Sequence, residues 1–145
     1  MASWRDAVQP ALRVLLQQDE HLDPHLELLR LSVENQDIAA NNVTVTLVLD
    51  GALVTGTVVS TETWERLHLS QIGQHDPDLR RAVREALAHL DQAAEDGRRR
   101  RRPDPRFLHL RDVTVRSGRT ARRLPAWRGL LASVSGWSVG EPDEH

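Results

Sequence analysis

The sequence predicts an α+β fold. It has a small curved antiparallel sheet, or an SH3- or Sm-like barrel, of about five strands, with N-terminal helices and a helical insert at about 77–95. Three observations predict this. Apolar residues alternate on both sides of an Asp50-Gly51 pair, as in a β-hairpin. Apolar residues recur at helical spacing after Ser3, after Asp23-Pro24 and after Asp76-Pro77, each a helix-start signal. Three further extended stretches follow the arginine/proline linker at 98–105, where five arginines are closed by Pro103-Asp104-Pro105.

The first helix is expected over about 3–18, with Ser3 as its cap, a kink or restart at Pro10, and Val8, Leu12, Leu15 and Leu16 on one face. A second runs from about Pro24 to Asn35, with Leu26, Leu29, Leu31 and Val33 as its apolar residues. In the hairpin, Asp50-Gly51 suits a type I′ turn, and the register then follows. Leu49 faces Ala52, Leu47 faces Val54, Val45 faces Gly56 and Val43 faces Val58, all on one face. On the other face Thr46 meets Thr55 and Thr44 meets Thr57. Gly56 inside a strand predicts a bend or a close neighbouring backbone.

Thr61 to Ser70 fits either a short helix or a strand. Pro77 to Glu95 is a clear amphipathic helix, with Leu79, Val83, Ala86, Leu87, Leu90 and Ala94 at 3- and 4-residue spacing. Phe107 to Val115 reads as extended with an irregularity at Arg111-Asp112. Ser117 to Leu124 reads as a polar loop, and Ala126 to Val139 as two short strands. One domain over 1–140 is expected. It comprises a helical part (1–36), the hairpin (43–60), a helical insert (62–96), a linker (98–105) and C-terminal strands (106–140), with 141–145 a flexible tail.

There is no cysteine, which excludes disulfides and thiol chemistry. No apolar run approaches the ~18 residues that span a membrane, so a cytoplasmic protein is expected. All 19 cations are arginine, a composition common in GC-rich genomes, and each is a permanently charged fork donor. Charge is divided along the chain. Asp19 to Asp96 holds 15 acids and 5 arginines, whereas Gly97 to Gly140 holds 12 arginines and 2 acids. Such a chain can neutralise itself internally or associate head to tail.

No pattern for catalysis, a cofactor or a metal stands out. There is no G-x-S-x-G elbow and no Gly-rich phosphate loop, and nothing marks Glu62 and Glu65 as a tuned pair. His21 and His25 are four apart, but Asp23-Pro24 between them starts a helix, so the spacing carries little. His68, His75, His89 and His109 form no ligand-spaced cluster. The candidate interaction residues are Arg98, Arg99, Arg100, Arg101, Arg102, Arg119, Arg122, Arg123, Trp127 and Arg128. The five-arginine run is either a solvated linker or an electrostatic docking element for an anionic surface. Trp127-Arg128-Gly129 is similar to the R-G turn near the end of Sm-type RNA-binding barrels; a tryptophan sealing the end of the fold is the plainer reading.

Three blocks carry a wider resemblance. They are L-E-L-L-R-L-S-V-E-N at 26–35 leading into V-T-L-V-L-D-G-A-L-V-T-G-T-V-V-S at 45–60, R-F-L-H-L-R-D-V-T-V at 106–115, and A-W-R-G-L-L-A-S-V-S-G-W-S-V-G at 126–140. Together they resemble the GvpU family of gas vesicle accessory proteins. The resemblance implies a non-catalytic role in assembling or clustering gas vesicles, association with them in the cytoplasm, and shell or other accessory proteins as partners; together with the charge split it leads to the expectation of a homo-oligomer. It supplies no catalytic residue and no cofactor. The alternative is an Sm-like nucleic-acid-binding module using the arginine cluster.

Overall fold

The computed structural model describes residues 23–35, 43–96, 104 and 106–143. The expected helix over 3–18, most of the linker and the end of the tail lie outside these residues.

Helix α1 (Pro24–Glu34) starts as its sequence dictates: Asp23 Oδ1 accepts from the His25 N–H at 2.8 Å, and Pro24 fills the first turn. Strands β1 (Thr44–Leu49) and β2 (Ala52–Val58) form the hairpin. Asp50 (φ 49°) and Gly51 (φ 79°) both take left-handed backbone, as a type I′ turn requires. The register is the expected one, with Leu47 opposite Val54, Val45 opposite Gly56 and Thr46 opposite Thr55. The ambiguous segment after the hairpin is helix α2 (Thr61–His75), whose first turn is capped by Ser60 Oγ accepting from the Thr63 N–H at 3.1 Å. Glu34 Oε1, at the end of α1, accepts from both the Thr61 N–H and its hydroxyl. Helix α3 (Pro77–Asp96) follows, with Asp76 Oδ1 accepting from the N–H groups of Asp78 and Leu79 at 3.1 Å each.

β3 (Phe107–Ser117) and β4 (Thr120–Leu130) form a second, longer hairpin that turns at Gly118 (φ 58°). This corrects the expected loop over Ser117 to Leu124. The arginines there do not oppose a strand, because β4 is an edge and its long polar side chains reach water. A single 3-10 turn (Leu131–Ser133) separates β4 from the short β5 (Gly136–Val139).

The five strands are antiparallel, in the order β4-β3-β2-β1-β5. The sheet is curved but open, so the SH3- or Sm-like barrel is corrected. The 3-10 turn carries the chain from the β4 edge to the opposite edge. There the four-residue β5 pairs with β1, leaving three strands between the two edges. Curvature comes from a bulge. Between Thr55–Thr114 and Thr57–Arg111, β2 contributes only Gly56 while β3 contributes Asp112 and Val113, with Asp112 at φ 50°. The irregularity expected at Arg111-Asp112 and the close approach expected at Gly56 are the two sides of this bulge.

The core lies on one face of the sheet, built from Val45, Leu47, Val54, Val58, Leu108, Leu110 and Val113, and closed by Leu26 of α1 and Leu131. The inward face of α1 includes Leu26, Leu29 and Val33 of the expected stripe and adds a charged pair. Leu26 is buried together with Glu27 and Arg30, while Leu29 and Val33 are partly buried. Arg30 donates through Nε and Nη2 to the Glu27 carboxylate, so the two charges enter the core paired and hydrogen-bonded.

Candidate interaction surface

Strand alternation sends the residues between the core positions to the other face. Thr44, Thr46, Thr55, Thr57 and Thr114 stand there, and the Thr46 and Thr55 hydroxyls lie 3.1 Å apart. The chain beyond β5 crosses this face, where Thr46 Oγ1 donates to the Gly140 carbonyl at 2.8 Å. A groove of about 290 Å³ remains, lined by Thr44, Thr55, Thr57 and Thr114 with Arg116, Arg123 and Glu141.

At its far end the same face is covered by α2. The Trp64 ring stacks on His68 (centroids 4.7 Å, planes 11° apart) and lies 4.9 Å from the His109 ring. The Arg128 guanidinium sits 5.1 Å from the centre of Trp64 and 3.8 Å from that of Phe107. It is therefore held between two aromatic faces, an arrangement that suits a planar cation. His109 is 1 % exposed and neither ring nitrogen has a hydrogen-bond partner. Burial pushes its pKa down to about 4, with Arg128 and Arg30 adding repulsion. It is a neutral, packed histidine.

Trp127 and Arg128 are adjacent candidates in the sequence, and the pleat sends them to opposite faces. Trp127 pairs with Leu110 on the core side, and its indole lies across Gly129. Arg128 pairs with His109 on the opposite side. Trp127 thus seals the core.

Arg119, Arg122 and Arg123 are exposed at the end of the β3–β4 hairpin. Arg122 pairs with Val115 and Arg123 with Thr114, so the two point to opposite faces and the hairpin end is basic all round. No acidic residue occurs between Asp112 and Glu141. Arg106 is paired with Asp104 at 2.7 Å, and this hydrogen bond holds the Asp104 carboxyl well below its ordinary range, at about 2. Arg98 to Arg102 lie outside the described residues. On α2 and α3 the balance is reversed, with seven acids against four arginines.

Reading the sequence missed the Glu27–Arg30 pair and the Trp64–His68–His109 stack. The i,i+3 spacing within L-E-L-L-R was the available signal for the first. The second joins α2 to β3 between Trp64 and His109, 45 positions apart, and no local spacing signals it. Among the described residues no group of three or more His, Asp or Glu could hold a metal. No helix among them is long and apolar enough to cross a membrane.

Fold and surface together define a class: an α+β domain with an open antiparallel sheet, presenting a basic hairpin at one edge and an acidic helix pair beside it. The chain belongs to the gas vesicle protein GvpU-like family, whose model matches residues 23–142. That span holds every helix and strand described and all three blocks on which the resemblance was drawn. No curated protein and no solved structure matches the chain.

Proposed function

We propose that this chain is a non-catalytic gas vesicle accessory protein that assists the assembly or clustering of vesicles through protein–protein contacts and self-association. The family match over 23–142 carries the reading. The separation of a basic β3–β4 hairpin from the acidic α2 and α3 supports a contact-making role, because complementary charge steers and orients association. Its partners are shell or other accessory proteins of the vesicle.

Fractionation of cells that make gas vesicles tests this. The protein is expected in the buoyant fraction, and its deletion is expected to change vesicle number or clustering. A protein wholly absent from that fraction, with vesicles unaltered by its deletion, sinks the proposal. A nucleic-acid partner is the competing reading and rests on the arginines alone. It requires binding at low salt that falls steeply as salt rises.

A further inference from the structure

The exposed apolar side chains of the described residues are concentrated on two elements. Leu79 (50 % exposed) and Leu90 (56 %) lie on α3, and Leu124 (38 %) and Leu130 (44 %) lie on β4; only Val139 (66 %) lies elsewhere among the exposed large apolar side chains. Neither element is covered by the rest of the described residues. α3 packs against α2 through one side, where Val83 and Leu87 are half-buried, and Leu79, Ala82, Ala86 and Leu90 remain in water on the adjoining side. β4 is an edge strand, and every residue from Thr120 to Pro125 is exposed.

The charges beside these apolar residues are opposite. At 100° per residue, Asp78 borders the exposed α3 stripe on its Ala82 side, Glu85 follows just beyond it, four residues after Arg81, and Arg84 falls on the far side of the helix. On β4, Arg122 shares a face with Leu124, since their partners Val115 and Val113 both belong to the core side of β3, and Arg119 stands at the turn. One surface is therefore an apolar stripe edged by carboxylates, and the other is Leu124 flanked by guanidiniums, Leu130 lying with Arg128 on the opposite face of β4. Pairing α3 with α3, or β4 with β4, sets like charge against like. Only the crossed pairing brings Leu against Leu and carboxylate against guanidinium.

We infer that copies of this chain associate head to tail, the exposed Leu79/Leu90 stripe of α3 in one copy docking on the Arg122/Leu124 face of β4 in the next. The inference rests on the self-association included in the proposed function and assigns its two surfaces. Each copy carries both, and a heterologous contact of this kind grows as an open chain unless its rotation closes a ring.

Charge exchange tests it. In the full-length protein, Asp78→Arg/Glu85→Arg makes the α3 surface basic, and Arg119→Glu/Arg122→Glu makes the β4 surface acidic. Sedimentation velocity over a concentration series, at low and high salt, reads the result, with circular dichroism confirming that both variants fold. The wild type is expected to gain mass with concentration and to lose that gain at high salt. Each variant alone is expected to dissociate, its dissociation constant rising by about tenfold or more. An equimolar mixture of the two is expected to associate again, because each supplies the surface that the other now lacks. A monomeric wild type, variants that associate as the wild type does, or a mixture that stays dissociated each overturns the inference. A protein that stays monomeric yet rides with buoyant vesicles loses this contact and keeps its vesicle role. One that associates as described but never reaches vesicles does the opposite.

Discussion

His109 and Arg128 are cross-strand partners in β3 and β4, and the Trp64 ring lies against both. A buried imidazole beside a fixed cation must stay neutral, and this makes folding depend on pH. The pKa of His109 falls from 6.5 to about 4 in the folded chain. Above pH 6.5 its contribution is fully present. As pH falls from 6.5 towards 4 the unfolded chain takes up a proton that the folded chain refuses, and about 3 kcal/mol is lost. Urea unfolding at pH 7 and pH 5 should show wild-type stability falling by about 2 kcal/mol more than that of His109→Leu. A difference between the two proteins that is independent of pH would contradict the neutral, buried assignment.

The Glu27–Arg30 pair predicts a non-additive double mutant. Arg30→Met leaves an unpartnered carboxylate in the core and should cost about 3–5 kcal/mol. Glu27→Leu combined with Arg30→Met removes both charges and should recover most of that loss, because neither desolvation penalty remains. Chemical denaturation of the single and double variants measures the coupling. Additive losses would show that the two side chains act independently.

Gly56 predicts a steric cost. A Cβ there would lie 2.9 Å from Val113 Cγ2, 3.0 Å from the Arg111 carbonyl and 3.2 Å from Leu110 Cβ. The bulge and the core would both have to move. Gly56→Ala is therefore expected to destabilise by about 1–3 kcal/mol, despite the usual gain from replacing a glycine. A neutral or stabilising result would mean that β3 is free to retreat.

Gly129 predicts a change that spectroscopy can see. Trp127 occupies the space that a side chain at 129 would fill. Gly129→Ala should displace the indole from the core edge, altering the near-ultraviolet circular dichroism and lowering the midpoint of unfolding. An unchanged spectrum would place the indole elsewhere in solution.

The first hairpin was legible to the residue, because a type I′ turn and a two-residue period leave one register that keeps threonine off the core. Helix starts at Asp23-Pro24 and Asp76-Pro77 were legible for the same local reason. Reading failed where the environment decides. Residues 120–124 carry three polar or charged side chains, so their period is hidden, and only pairing with β3 makes them a strand. The apolar stripe of α1 was legible in Leu26, Leu29 and Val33, but the buried Glu27 and Arg30 were not, because paired charges enter the interior only once each satisfies the other. Among the candidate residues, Arg119, Arg122 and Arg123 are exposed. Trp127 and Arg128 are adjacent in sequence but lie on opposite sides of a sheet.

The route by which β5 reaches β1 has a consequence for synthesis. Ser135 donates to the Val48 carbonyl across 87 positions, so β1 has one neighbour until nearly the whole domain has left the ribosome. At about 5–20 residues per second, that edge stays bare for on the order of ten seconds. During that interval the nascent protein offers an unpaired valine- and leucine-bearing strand to anything nearby, whether a chaperone or another nascent copy.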